Sequence, residues 1–402
     1  MTFRYFLFTI LLGLFASCHK LEPKAPEADA VMDAPIEGLT TEQHRIFLAG
    51  AEEFEEVYTS ETGLGPLFVS NSCVSCHSGD NRGHPFTMLT RFGQTDSTGN
   101  SFLHQGAPQW QSQALAGHIA EEIPSSASRS RFIAPIVSGV GFLEAVPDAD
   151  IVAMAAANAS HPDGVRGHPN WVHVPEFIQV PAGAISKNGL YIGRFGRKAS
   201  TFNLHQQTVQ AFNQDMGITT TYLPQNPFNY QQGTQTHPTG DPDISDQSVN
   251  GVVFYLKVLQ APIPRNSNDA AIQLGKQLFV QIGCEACHKE TLHTGASNVQ
   301  ALANKAFHPY TDLLVHDIGA ALNDGYTEGS ATAAEWRTTP LWGMGLAAQA
   351  QGGQVFLLHN GRAHSIDEAI RLHGGEANVS RGRYESLSEN DRTNLIRFLE
   401  SL

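Results

Sequence analysis

Two short stretches carry the residues with the clearest chemistry. NSCVSCHSGD holds Cys73, Cys76 and His77, and QIGCEACH holds Cys284, Cys287 and His288. Each is a CxxCH, and together they take four of the chain's five cysteines. Cysteines two residues apart can be a redox dithiol, half of a zinc site, a small disulfide or the attachment point of a haem. The histidine after each pair selects the last, because a c-type haem needs two thiols for its vinyl groups and an imidazole beside them for its iron. A disulfide across two intervening residues would constrain little, and a four-sulfur zinc site would leave both histidines without a role. The motifs predict two covalently bound haem c groups, with His77 and His288 as proximal iron ligands.

The fifth cysteine, Cys18, closes the opening segment MTFRYFLFTILLGLFASC. Its apolar run, Tyr5 to Ala16, is too short for a membrane span of ~20 residues and has the length of a signal peptide. Ala16 and Ser17 before Cys18 have the form of a lipoprotein cleavage site. Residues 1–17 are thus expected to be removed and Cys18 lipidated, tethering the protein to the periplasmic face of a bacterial membrane. Residues 18–40 are rich in Pro, Ala and acids and form the flexible tether. A net charge of −14 and a pI near 5.6 exclude a general role on nucleic acid.

The motifs need elements to position them, and the same order of elements occurs twice. HRIFLAGAEEFEEVYT leads to the first CxxCH and NDAAIQLGKQLFVQIG to the second, each as an amphipathic helix. SVNGVVFYLKVLQ and SENDRTNLIRFLESL supply a packing helix for each. APIPRN marks a boundary between them at residues 261 to 266. With 402 residues and 41% hydrophobic content there is room for two cores. The expected fold is mainly α: two cytochrome c-like haem domains with long loops and short β-hairpins, residues 41–262 and 263–402. A weaker repeat pairs SRFIAPIVSGVGF with EWRTTPLWGMGL, and GRFGRKASTFNLHQQTVQAF with LHNGRAHSIDEAIRLHGG. The first half is longer: His77 and Arg197 lie 120 positions apart (197 − 77), against 74 for His288 and Arg362 (362 − 288).

In this set and order, GLGPLF…SCVSCH, RFIAPIVSGVGFLEA, GRFGRKA, DMGIT, HPYTDLLVHDIG, EWRTTPLWG and LHNGRAHSIDEAIRLHGGEA resemble the di-haem oxidoreductase family, which is related to bacterial di-haem cytochrome c peroxidases and also carries a thiol oxidoreductase label. The resemblance runs from about Gly63 to Leu402. It implies an exported oxidoreductase that reduces peroxide or oxidises another substrate, with the first haem reactive and the second relaying electrons to or from a small redox protein. It also allows a structural calcium. A pure electron-transfer cytochrome, or an oxidase acting on a partner protein, is the alternative.

Further site residues follow from the residues and from that resemblance. Ser365 and Glu368 have capping-box spacing, and Ile366, Ala369, Ile370 and His373 fall on one apolar face. That pattern alone suits a core histidine. The related peroxidases bring a methionine to the electron-transfer haem at this place, which implies His373 as the second iron ligand of the second haem. Gln207 and Asp215 match the distal glutamine and acid of the first haem, and their separation of eight residues puts them about 80° apart around a helix. Arg131, Arg197, Arg337 and Arg362 recur in the two halves, and Arg131 and Arg337 are assigned to haem propionates. Trp336 and Trp342 are candidates for the haem interface or for core. His84, Met88, His104 and His118 are all open as sixth ligands of the first haem.

Overall fold

The computed structural model describes residues 33–77, 82–94, 99–232 and 242–402. The expected signal peptide, Cys18 and most of the expected tether lie outside the described residues. The α-helices are α1 Thr41–Glu55, α2 Cys73–Cys76, α3 Val140–Glu144, α4 Asp148–Asn158, α5 Leu204–Met216, α6 Asp246–Val258, α7 Ala270–Gln281, α8 Ala347–Ala350, α9 Ile366–Leu372, α10 Asn378–Glu385 and α11 Glu389–Ser401. Short antiparallel sheets of two or three strands connect them. The fold is mainly helical, as expected. Among the described residues no helix is long and apolar enough to cross a membrane.

Two helix pairs carry the architecture, and local chemistry starts each helix. Thr40 caps α1 through a reciprocal box with Gln43, while Ser245, Asp269 and Ser388 cap α6, α7 and α11. Phe47, Gly50 and Phe54 put one face of α1 inside, against Val249, Val252 and Leu256 of α6. The second pair repeats the device, with Gly275, Leu278 and Phe279 of α7 against Leu395, Phe398 and Leu399 of α11. A side chain at Gly50 would overlap the Gly251 carbonyl, and one at Gly275 the Asn394 carbonyl. Gly141 and Gly345 meet the carbonyls of Lys257 and Glu400 in the same way. Both halves therefore rest on glycines that let backbones approach.

The halves are not separated by the boundary at residues 261 to 266. The hydrophobic cluster built from Ile36 to Leu259 also takes in Leu292, Val299, Leu302, Phe307, Leu313, Leu314 and Trp342 from beyond it. A smaller cluster joins Leu278, Phe279, Ile282 and Tyr310 to Tyr384 and α11. Backbone bonds also cross between halves: Arg337 N–H donates to the Arg197 carbonyl at 3.0 Å, and Ile133 N–H to the His359 carbonyl at 2.8 Å.

The glycine contact on α1 makes an asymmetric prediction. A methyl added at Gly251 would stand 3.5 Å from the Gly50 Cα, an ordinary contact. Gly251→Ala is expected to be neutral or to stabilise by up to about 1 kcal/mol through helix propensity. Gly50→Ala must push the two helices apart and should cost about 1–3 kcal/mol. Thermal unfolding of the two variants, compared with the parent, checks both signs.

Two candidate cofactor cavities

Both CxxCH motifs are single helical turns. His77 N–H donates to the Cys73 carbonyl at 2.9 Å, and His288 N–H to the Cys284 carbonyl at 3.0 Å. Each turn brings two thiols and an imidazole to one side. Ser72 caps the first turn through the Ser75 N–H. The second starts from Gly283, whose φ of +91° is a left-handed conformation that glycine adopts freely. All four thiols are free. Burial pushes Cys73 and Cys284 up to about 12 and Cys76 up to about 11, the reverse of a nucleophilic dithiol. The environment is that of thiols facing an apolar cavity, which leaves the thiol oxidoreductase label without support from the site.

Each turn opens into its own cavity, of about 180 Å³ for the first and 220 Å³ for the second. Both far exceed the ~10–15 Å³ that one water needs. Phe54 of α1 lies beside His77 with ring centroids 6.2 Å apart, and Phe279 of α7 beside His288 at 6.4 Å. Behind them stand Tyr255 and Phe398, at 5.2 and 5.5 Å. The helix pairs thus back the two CxxCH histidines in matching ways.

The second cavity holds two imidazoles prepared as ligands. His288 Nδ1 lies 2.9 Å from the Tyr310 carbonyl, and His373 Nδ1 2.7 Å from that of Ala369. A carbonyl can only accept, so both rings carry their proton on Nδ1 and keep the Nε2 lone pair for the cavity. Burial lowers both pKa values, that of His288 to about 4, with the His373 imidazole contributing. Ser365 caps α9 through Glu368 N–H at 3.0 Å, while the Glu368 carboxylate reaches back to His364 N–H and not to the cap itself. His373 then ends the helix as its C-cap. His316 also lines this cavity, but its two nitrogens sit 2.8 Å from Glu376 and 2.9 Å from Asp312. Burial disfavours its charge, yet the two carboxylates overcome this and hold His316 as a cation without a lone pair for a metal.

The first cavity is built differently. His77 is its one lining histidine among the described residues, and Met216 its one lining thioether. His84, Met88, His104 and His118 do not line it. Its other wall is polar, carrying Gln207, Gln214 and Asp215 of α5 with Arg91 and Glu328. Asn203 caps α5 through Gln206 N–H at 2.8 Å, which sets the phase of that face. Gln207 accepts from the Thr201 hydroxyl at 2.8 Å. Desolvation raises Asp215 to about 7 despite the opposing field of Arg91. Arg91 Nε in turn lies 2.7 Å from Glu328.

Between the cavities stands a shared wall to which Ile133, Arg197, Arg337 and Thr339 contribute on both sides. Arg197 donates to the carbonyls of Ile133 and Ala134, and Arg337 to that of Arg194. Arg337 Nε is buried without a partner, as is Trp342 Nε1 on the first cavity. Burial lowers Arg337 to about 10; burial and repulsion from Arg337 lower Arg197 to about 9. A buried Arg337 and a half-buried Arg197, neither with a carboxylate partner among the described residues, call for anionic groups in the cavities, which haem propionates are. The thiol pairs, imidazoles and these cations together fit haem.

Most of the residues expected from the sequence gather here, and Arg131 does not. It is exposed on the strand Ser128–Phe132, pointing away from the buried Ser130 and Phe132. When the two repeats are aligned on Gly139 and Gly343, Arg131 matches Glu335 and Ile133 matches Arg337. The two arginines are thus two positions out of register: Glu335 stands at the place of Arg131, and the buried Ile133 at the place of Arg337. The propionate assignment of Arg131 is corrected on that ground; Arg362 is likewise exposed, bonded to Asn360. Trp342 lines the first cavity and Trp336 the second. Arg91, Glu328, His316 and Lys198 carried no spacing signal in the sequence, because their partners come from distant segments. Among the described residues no group of three or more His, Cys, Asp or Glu is placed to hold a metal ion, so a structural calcium gains no such ligand set.

Comparison with known proteins agrees with this chemistry. The family model described as "Di-haem oxidoreductase, putative peroxidase" matches residues 127–402. No curated protein matches the chain. Among solved structures it is similar to a MauG-like protein associated with microbial copper homeostasis, at 13% identity, 96% and 95% coverage of this and that chain, and a TM-score of 0.41. The diheme peroxidase BthA from Burkholderia thailandensis gives 14%, 94% of each chain and 0.41. The hydrazine synthase of Kuenenia stuttgartiensis gives 13%, 96% and 99%, and 0.37. The family match spans well over half of the sequence and includes the second CxxCH, His373 and the arginine wall: the chain belongs to the di-haem oxidoreductase family of peroxidase-like enzymes.

Proposed function

We propose that this chain is an exported, lipid-tethered c-type di-haem peroxidase in which the first cavity is the reactive site and the second takes electrons from a small redox protein. The observation that carries the proposal is the asymmetry of the cavities: one imidazole facing a polar wall in the first, two prepared imidazoles in the second. Thioether bonds at Cys73, Cys76, Cys284 and Cys287 would attach the groups, and Cys18 would anchor the chain.

Haem supplies an iron that binds peroxide and exchanges electrons. What the protein adds at the first site is proton handling. O–O cleavage needs a proton moved from one oxygen to the other. The Asp215 carboxylate, raised to about 7, can accept and return it near neutral pH. The Gln207 carboxamide on the same helix face can orient the peroxide by hydrogen bonding. At the second site His288 and His373 offer two neutral nitrogens. Two imidazoles hold a haem at lower potential than an imidazole and a thioether do.

Three measurements test the proposal. EPR of the resting ferric protein is expected to show one high-spin and one low-spin haem; two low-spin signals unchanged on partial reduction would favour a pure electron-transfer cytochrome. His373→Met should leave the second haem low-spin and raise its potential, within the ~0.8 V that axial ligands span. Identical optical redox titrations of variant and parent would return His373 to the core. Asp215 accepts a proton only when ionised, so peroxide turnover should fall as pH drops through about 7. In Asp215→Asn that limb should vanish and kcat should drop by roughly 10²–10⁴-fold.

A further inference from the structure

Trp336 sits between the two cavities in an unusual cage. It is buried and lines the second cavity, and its ring meets Phe132 edge-on, with centroids 5.8 Å apart at 87°. Phe132 lines the first cavity, so the two rings span from one to the other. In the aligned repeats Phe132 and Trp336 occupy the same position, and the indole is the member that can be oxidised.

Both faces of that indole are covered. The His359 imidazole stacks on it with a centroid separation of 3.5 Å and an interplanar angle of 6°. The Lys198 ammonium lies 3.7 Å from the ring centroid, and with one face taken by His359 it must occupy the other. Lys198 is fully buried and makes no ion pair within 4.0 Å among the described residues. Its Nζ donates to the carbonyls of Thr332, Ala333 and Glu335 at 2.9, 3.3 and 2.8 Å. Three carbonyls orient all three N–H bonds, so the charge cannot swing away from the ring. The indole Nε1–H donates to the Leu322 carbonyl at 2.9 Å.

We propose that Lys198 guards Trp336 against one-electron oxidation, so that the Phe132–Trp336 pair bridges the two cavities without itself holding a radical. Removing an electron from the indole leaves a unit positive charge on the ring. The Leu322 carbonyl is too weak a base to take the Nε1 proton, so that charge stays, facing a fixed ammonium in a medium of low dielectric. The same cation that binds the closed-shell ring through its quadrupole opposes the oxidised one. Burial pulls the Lys198 pKa down to about 8, which still leaves most of it charged at neutral pH. The inference rests on the proposed peroxidase reading only in that peroxide is the natural oxidant. In that case loss of two electrons and addition of water give hydroxytryptophan, with the net balance of tryptophan and hydrogen peroxide to hydroxytryptophan and water.

The test uses the full-length haem-loaded protein, Lys198→Met, which keeps bulk without charge, and Lys198→Gln, which keeps donors to the carbonyls without charge. Lys198→Arg restores a cation. Peroxide consumption by the parent is measured first and tests the peroxidase reading by itself. All four proteins are then treated with hydrogen peroxide and, separately, with hexachloroiridate(IV), which takes one electron per ion and needs no peroxide chemistry. Peptide mass spectrometry reads oxygen added at Trp336, and low-temperature EPR reads a tryptophan radical. With either oxidant, both neutral variants should show at least tenfold more Trp336 modification than the parent, and Lys198→Arg should stay near the parent. Either neutral variant is sufficient if the other fails to fold, as judged by its haem spectrum. Equal modification in the parent and a folded neutral variant, or loss of protection in Lys198→Arg, overturns the guard.

Discussion

Two cavity-lining guanidinium groups without a carboxylate partner among the described residues are the constraint on which the rest of this molecule depends. An unpaired charge in a protein interior costs several kcal/mol, and Arg197 and Arg337 stand side by side in the wall between the cavities. Among the described residues neither meets an acid; Arg197 donates to the carbonyls of Ile133 and Ala134 in its own half, and Arg337 to that of Arg194 in the other. The described residues therefore leave these two cations without a counter-charge in the wall. Anionic cofactors on both sides would supply it, which would link folding of the wall to cofactor binding. Cavities, cations and thiols make one requirement.

The helix pairs are the frame that makes such a wall tolerable. α1 with α6, and α7 with α11, each approach closely at a glycine and present one phenylalanine toward a CxxCH histidine. The aligned segments that lead to Gly139 and Gly343 then bring Phe132 and Trp336 together. Repetition explains the likeness of the two sites. Their difference lies in what each repeat adds on the far side: α5 contributes amides and an acid, whereas α9 ends in His373. A carboxylate in a desolvated cavity and an imidazole with its Nδ1 proton fixed are different tools made on the same scaffold.

The placement of charge follows the same division. The first cavity sets Arg91 and Glu328 against Asp215, so its polar wall is a balanced group of ionisable side chains. Around the second, the cation His316 is locked between Asp312 and Glu376, and Lys198 is locked over Trp336 by three carbonyls. These charges cannot move readily. The proposed roles ask for that difference: handling protons needs groups poised near neutrality, and passing electrons needs a fixed electrostatic field.

Local features were legible in the sequence because their partners are close along the chain. The CxxCH turns, the caps at Ser365 and Ser388, the amphipathic pairs and the placement of Gln207 and Asp215 on one helix all depend on spacings of a few residues. The phase of His373 on α9 was readable for the same reason, and so was the family. Tertiary structure decided the rest. A two-residue shift between the repeats, invisible in a loose alignment, leaves Arg131 exposed on its strand while Arg337 lies in the wall. The two halves share one large hydrophobic cluster across the expected boundary, since a hairpin of the second packs on the first. Lys198 reached Trp336, 138 positions away (336 − 198), only because backbone bonds from Arg337 to Arg197 join the repeats. Short-range periodicity determines which side chains share a face; only the packing of distant segments determines what that face meets.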